Sequence, residues 1–531
     1  MAGLLSLPTN EQPNLETPLE YPCKSLLANS KKIQVALAPL NHPPPLGHLP
    51  ANPQPHQPDS PVSTQAPHLS TTQERSLRDI FPGDSLLLTP EQTLIFATDA
   101  GRRMGTPLAV VRPTTEAQVV ELLRLAQAEG LPVYARGRAS NQVGACVPAR
   151  PGIVVSLLHM NRILDIADDD FVAEVEPGVV TSDLQRAVEA RGLFYPPDPA
   201  SIDISTIGGN VATCAGGMRA LKYGVTREYV LGLTAVLPGG KVLRTGGRCH
   251  KNVVGLDLTR LFVGSEGTLG IVTRIALKLL PLPQATATLL AGFASMEAAM
   301  HGVRRIFRAG ILPVALEFLS PEVLDCVARR QTPPWPDSVR GALLIRLDGS
   351  RESLPLEVRR MHDALHTSAG TSGNEPPVWS AHGVGHDEEE PLWAMRRGIS
   401  PSSYLVRPNK IGEDIAVPRG RLLDALTGIR AIAQAHDLPI LTYGHVGDGN
   451  IHVNIMYDGA DPSETTRADA ATVEVMHLVR SMDGTLSGEH GVGMAKKEFL
   501  HLQLSPLETE LMRQVKHAFD PLGIMNPDKA Y

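Results

Sequence analysis

Leu131-Pro132-Val133-Tyr134-Ala135-Arg136-Gly137-Arg138-Ala139-Ser140-Asn141-Gln142-Val143-Gly144 passes from an apolar start to a polar, glycine-bounded end. Leu131 to Tyr134 reads as a short strand, and the loop after it is too polar for a core. A strand feeding such a loop aims several backbone N–H groups at one place, where an anion is held without any lysine. Upstream, Thr115 to Gly130 carries Val119, Leu122, Leu123 and Ala126 at helical spacing, with a Thr cap and a Gly stop, so a surface helix precedes the strand. Downstream, strands over Ile153 to Leu157 and Phe171 to Val175, a helix over Ser182 to Arg191, and a hairpin of Tyr229 to Leu237 turning at Pro238-Gly239-Gly240 are expected. Order is expected to begin near Leu77.

Two later stretches carry the candidate chemistry. Tyr443-Gly444-His445-Val446-Gly447-Asp448-Gly449-Asn450-Ile451-His452-Val453-Asn454 and Ser487-Gly488-Glu489-His490-Gly491-Val492-Gly493 supply imidazoles and carboxylates. Those are donors that a borderline divalent ion accepts, at roughly 2.0–2.2 Å for zinc. Gly447 and Gly449 would break a helix, so His445 closes one strand and His452 enters the next across a tight turn. His452 and Asn454 then share a strand face. A polar loop without an ion explains any one of these histidines, whereas the whole set in two glycine-framed segments favours a shared site for Zn, Mn or Fe.

The chain has 531 residues, of which 42% are hydrophobic, enough for more than one core. No apolar run approaches the roughly 20 residues of a membrane span. A formal net charge of -7 gives no electrostatic footprint for nucleic acid. Cys23, Cys146, Cys214, Cys249 and Cys326 show neither a CxxC pair nor an iron–sulfur spacing, which fits reduced thiols in the cytoplasm. Prolines recur between Pro39 and Pro67, including Pro43-Pro44-Pro45, so residues 1–75 are expected to form a disordered leader, either dispensable or a docking arm for a proline-binding groove.

Two more glycine-rich stretches, Ser205 to Gly217 and Gly264 to Gly270, match neither a GxGxxG fingerprint nor a Walker loop. Together with Arg136 to Gly144, Tyr195-Pro196-Pro197-Asp198-Pro199 and Lys222-Tyr223-Gly224, they resemble the FAD-binding domain of the FAD-linked oxidases related to vanillyl-alcohol oxidase. The histidine stretches, and the ending Phe519-Asp520-Pro521-Leu522-Gly523-Ile524-Met525-Asn526-Pro527, resemble that family's metal-containing D-2-hydroxy-acid dehydrogenase branch, which is of the D-lactate dehydrogenase and glycolate oxidase kind. The resemblance runs from about Leu77 to Asn526. It implies an α+β protein: a two-subdomain FAD-binding PCMH-type domain over 76–283, then an antiparallel α+β FAD-oxidase C-terminal (cap) domain over 284–531. Arg138, Ala139, Asn141, Cys214 and Met218 depart from the residues the family usually carries there.

By this resemblance, FAD is bound by Arg136, Gly137, Arg138, Ala139, Ser140, Asn141 and Gly144 in the first loop. Pro197, Asp198, Ser205, Gly208, Gly209, Asn210, Ala215, Gly216 and Gly217 come next, then Tyr223 and Gly224, and finally Gly264, Ser265, Glu266, Gly267, Gly270 and Ile271. No His or Cys lies in Arg136 to Gly144, so the flavin is expected to be non-covalent. Arg396, Ser400, Lys410 and Asn454 resemble the substrate-binding segment, Arg396 being suited to a carboxylate through its planar fork. His445, His452 and Glu489 are expected to hold the ion, with His490 as base.

The implied reaction is oxidation of a small D-2-hydroxy acid, D-lactate or glycolate, to the 2-oxo acid, with hydride transfer to the flavin. The alternatives are a D-2-hydroxyglutarate dehydrogenase, a non-redox flavin transferase of the alkylglycerone-phosphate synthase kind, and a catalytically silent flavin subunit of a larger complex. An external electron acceptor is implied: a quinone reached through an iron–sulfur subunit, a cytochrome, or an electron-transfer flavoprotein. A cytoplasmic location, association with the inner face of a membrane through such a partner, and a homodimer are all compatible with this reading.

Overall fold

The structure, a computed structural model, describes residues 68–367 and 375–530. The proline-rich stretch between Pro39 and Pro67, expected to be a leader or docking arm, lies outside the described residues. Order begins before Leu77. The helix Thr71–Ile80 crosses the expected 75/76 boundary, is closed at its start by a capping box between Ser70 and Gln73, and buries Leu77. A Ser three residues before a Gln is the signal that fixes this start.

Among the described residues the first half folds around a four-stranded and a five-stranded sheet, with Leu193–Phe194 and Leu280–Pro281 paired as a small third one. In one, Pro107–Val111 and Val133–Arg136 flank Gly152–Ser156 in parallel, and Leu86–Leu87 joins antiparallel at one edge. The helix Glu116–Glu129 lies against it, capped by Thr115 and stopped by Gly130 at φ 63°, with Val119, Leu122, Leu123 and Ala126 buried as the periodicity requires. The strand expected at Leu131 begins at Val133, because Pro132 has no N–H to give a ladder. The other sheet has the order Ile163–Ala167, Val172–Val175, Ile271–Lys278, Val230–Leu237 and Lys241–Gly246, all antiparallel. Its expected hairpin turns at Pro238-Gly239-Gly240, where both glycines have positive φ.

The second half is built on an antiparallel sheet of seven strands, ordered Trp379–Val384, Ala285–Phe293, Gly341–Gly349, Ala315–Leu319, Ile440–Gly444, Asn450–Tyr457 and Asn409–Ala416. Helices Met296–Arg308, Leu354–His366, Leu422–His436 and Pro462–Arg480 cover one face and close a large core around Phe293, Phe318 and Ile345. All seven strands of this sheet follow residue 283, while the end of the chain packs on the first half. Ile524 and Met525 enter the core of the first sheet, where Val133 N–H donates to the Ile524 carbonyl and Asn526 N–H to the Val133 carbonyl, each at 2.8 Å. The strand Val133–Arg136 lies at the edge of its sheet, and the returning tail covers part of that edge.

Candidate active site

A cleft opens along the loop after Val133–Arg136. Residues 136–142 line one wall, Ser205, Gly208, Gly209, Asn210, Ala215 and Gly216 another, and Glu266 with Gly267 a third. The Ala100 N–H lies 3.1 Å from the carbonyls of both Ala139 and Asn141, turning those carbonyls toward the 97–105 turn. Ala139 takes the left-handed φ of 54° that this requires. A Cβ on Gly216 would fall 2.7 Å from Glu489 Oε2, so close approach of this loop to the histidine-bearing segment needs glycine. The donor-rich, glycine-framed cleft fits a dinucleotide.

Several residues assigned to this cleft lie elsewhere or act differently. The Arg136 guanidinium turns away, donating to the carbonyls of Thr98 at 2.8 Å and Ile95 at 3.2 Å. Gly144 N–H is held by Asp99, and the Pro197 carbonyl by Gln185. Asp198 and Gly217 line a second cavity, where burial pushes Asp198 up to about 6 against the pull of Arg219. The Tyr223 hydroxyl donates to Asp348 of the second half, and Gly224 caps the short helix Ala220–Tyr223. Gly264 N–H donates to the Val211 carbonyl of the helix Ile207–Thr213, tying the two segments together, and the Ser265 hydroxyl donates to the Phe262 carbonyl within its own turn. Gly270 packs on the Val236 carbonyl, and Ile271 is a core residue opening its strand. Glu266 lines the cleft but spends its carboxylate on the N–H groups of Val492 and Gly493, at 2.7 and 2.9 Å.

The second cavity, of about 740 Å³, meets the first along Gln142, Pro199, Ala200, Glu489 and His490, which line both. His445 follows Ile440–Gly444 directly and His452 lies within Asn450–Tyr457, opposite Tyr443. Glu489 Oε1 is 3.3 Å from His445 Nε2, 3.8 Å from His452 Nε2 and 4.0 Å from His490 Nε2. Atoms sharing one ion at roughly 2.0–2.2 Å lie about 3.3–3.6 Å from one another, and the distances from Glu489 Oε1 to the imidazoles lie at or somewhat beyond that range. Asp414, His452, Glu489 and His490 form a group in which one ligand atom from each lies within 4.8 Å of the others, and His445 is not part of it. Asp414 is committed elsewhere, however. Its Oδ2 accepts the N–H groups of Gly488, Glu489 and His490 at 3.0, 2.7 and 3.0 Å, and its Oδ1 accepts Asn450 Nδ2 at 2.6 Å. It therefore shapes the loop that presents Glu489 and His490. Burial opposes its ionisation, but His490, Lys496 and His452 hold its carboxyl well below the usual range.

A second buried carboxylate does the same for the other imidazole. Glu317, fully buried on Ala315–Leu319, accepts His445 Nδ1 on Oε1 at 2.6 Å and Arg396 on Oε2, from Nε at 2.9 Å and Nη2 at 2.7 Å. Burial alone would raise its pKa, yet His445 and Arg396 hold it down to about 2. Burial works against a charge on His445, but Glu317 and Glu489 raise it well above the usual imidazole value. His452, 5.1 Å away ring to ring, is pushed down to about 3 by burial and by the His445 charge.

Arg396 is the inward member of its pair, its side chain 11% exposed, whereas that of Arg397 is 53% exposed and pairs with Glu390. The Arg396 guanidinium lies 4.7 Å from the Tyr443 ring centroid. Lys410 Nζ donates to Ser400 Oγ at 3.2 Å, and Asn454 Nδ2 to the Tyr443 hydroxyl at 3.2 Å. All four expected substrate residues line the second cavity. Glu317 and Asp414 were not foreseen. A lone Glu within Ala315-Leu316-Glu317-Phe318-Leu319 was the signal for the first.

Residues 107–246 match the FAD binding domain family and residues 282–530 the family described as FAD linked oxidases, C-terminal domain. Glycolate oxidase subunit GlcD of Bacillus subtilis is 39% identical, covering 82% of this chain and 92% of its own. D-2-hydroxyglutarate dehydrogenase of Stutzerimonas stutzeri is 36% identical over 80% and 91%, and D-lactate dehydrogenase of Anaerostipes hadrus 32% over 80% and 89%. Among solved structures, p-cresol methylhydroxylase superposes with a TM-score of 0.69 at 18% identity, covering 86% of this chain and 95% of that one. An alkyldihydroxyacetonephosphate synthase does so with 0.66 at 19%, covering 88% and 86%. At such identities these two share the fold alone. A glycine-loop cleft in front, an antiparallel histidine-bearing domain behind and full-length relatives of the same build establish that the chain belongs to the FAD-linked oxidases, as an oxidoreductase of that family.

Proposed function

We propose that the protein oxidises a small D-2-hydroxy acid, D-lactate or glycolate, to the 2-oxo acid, with non-covalent FAD as electron acceptor and a divalent ion held by His445, His452 and Glu489. The observation that carries this reading is the convergence of three imidazoles on one Glu489 oxygen where the two cavities meet. When bound, the ion supplies Lewis acidity that lowers the pKa of an alcohol oxygen, and the flavin supplies a two-electron sink. Arg396 presents its remaining N–H edge to the substrate carboxylate, because Glu317 occupies Nε and one side of Nη2. Ser400 and Asn454 add neutral hydrogen bonds beside it. His490, whose N–H is held by Asp414 and whose carbonyl accepts Asn141 Nδ2 at 2.8 Å, is placed to take the hydroxyl proton at its imidazole.

Lys410 favours a second reading, a longer dicarboxylate such as D-2-hydroxyglutarate. Its ammonium bonds a serine hydroxyl, and burial lowers its pKa. A distal carboxylate would supply the counter-charge. In both readings the electrons leave to an external protein or quinone acceptor. An anaerobic panel of 2-hydroxy acids, followed by flavin absorbance, tests the reading: bleaching by D-lactate or glycolate is expected, bleaching by D-2-hydroxyglutarate alone selects the second reading, and bleaching by none refutes both.

A further inference from the structure

We infer that Glu317 is a positioning residue that ties the substrate-binding arginine to the metal site, orienting His445 through Nδ1 and Arg396 through Nε and Nη2. The inference rests on the metal reading proposed above. Glu317 sits at the centre of the sheet, its side chain without solvent exposure, and its two oxygens face different parts of the chemistry. Oε1, 2.6 Å from His445 Nδ1, holds that nitrogen and leaves Nε2 facing Glu489 Oε1 at 3.3 Å. Oε2 takes two hydrogen bonds from one edge of Arg396 and leaves the other edge to the cavity. One negative charge therefore serves two groups that never touch each other's ligand.

A carboxylate behind a ligating histidine makes the imidazole more basic and holds its ring, and losing such a partner weakens metal binding on the order of 10–100-fold. A carboxylate gripping one edge of a guanidinium fixes the direction from which a substrate anion is met. Because both tasks fall on the same side chain, replacing it disturbs metal affinity and substrate affinity together. Replacing Arg396, which does not reach the imidazoles, disturbs the second alone. A packing role for Glu317 would instead lower thermal stability and leave both affinities in place.

The test is titration of chelator-treated, FAD-loaded full-length protein with Co(II), whose visible spectrum reports nitrogen ligation, for wild type, Glu317→Gln and Arg396→Met. Binding to Glu317→Gln is expected to be on the order of 10–100-fold weaker than to wild type, while Arg396→Met does not weaken it. At saturating Co(II), Glu317→Gln also raises KM for D-lactate, or for whichever acid bleaches the flavin, with a dye as electron acceptor. If Glu317→Gln fails to fold, Glu317→Gln/Arg396→Met removes the unpaired guanidinium, and the same loss of Co(II) affinity is expected from it. Wild-type Co(II) affinity in the foldable Glu317 variant overturns the inference and leaves the metal reading intact. Weakened Co(II) binding in Glu317→Gln with an unchanged KM confines Glu317 to the metal and overturns the tie. Absence of Co(II) binding to wild type removes the metal reading and the inference with it.

Discussion

Glu489 and His490 lie on a loop whose three successive N–H groups end on one oxygen of Asp414, and this places both side chains where the two cavities meet. Glu489→Gln or His490→Ala is expected to abolish bleaching of the flavin by substrate while FAD stays bound; the wild-type bleaching rate in both variants would refute their roles. Arg396→Met leaves Glu317 charged with His445 as its remaining partner, and a defect of up to about 3–5 kcal/mol, the cost of breaking a buried pair, is expected by urea unfolding. Glu317 also sets a pH dependence. Its folded pKa, near 2, lies below the unfolded value of about 4.3, so the stability it contributes is full above the unfolded value and is lost as pH falls through the folded one. In metal-free protein, Glu317→Gln is therefore expected to flatten the loss of stability between about pH 5 and 2, and an unchanged acid limb would show that the carboxylate is not ionised there. The histidines and Glu489 were legible in the sequence, because polar donors framed by glycine stand out locally. Glu317 and Asp414 were not, because a buried carboxylate acquires its role only from partners 128 and 76 residues away.

Elements with their own punctuation are legible almost to the residue. Glu116–Glu129 has a Thr cap, a Gly stop and a four-residue apolar stripe, and Val230–Leu237 turns on two glycines. The strand at Val133 starts later than its apolar run because proline donates nothing to a ladder. The tail escapes a local reading for a different reason: Ile524-Met525-Asn526 has no pattern of its own and takes its conformation from pairing with Val133. Met525 is fully buried in the core of the first sheet, so Met525→Ala is expected to cost about 2–5 kcal/mol. A loss below about 0.5 kcal/mol, the usual range for surface substitutions, would mean the tail is not part of that core.

For the whole molecule, both halves contribute residues to the candidate site. The front half contributes Gln142 and the Asn141 amide that holds His490, the back half contributes the imidazoles, and Glu266 clasps the loop just after His490. The two-part architecture was legible from the glycine loops and the histidine stretches taken together. The local partners of Tyr223, Gly264, Ser265 and Ile271 were less so, since a glycine-rich pattern does not tell which side chains and amides turn to seams and cores. Acid precipitation is expected to release the flavin into the supernatant, and colour retained on the protein would contradict non-covalent binding.

The shared cation is tested most directly by metal analysis of the purified protein together with anaerobic bleaching by D-lactate and glycolate. One equivalent of Zn, Mn or Fe, lost with substrate bleaching on chelation, regained on adding the ion back, and absent from His452→Ala, is the expected result. Full bleaching by substrate in protein that contains no divalent ion would contradict it.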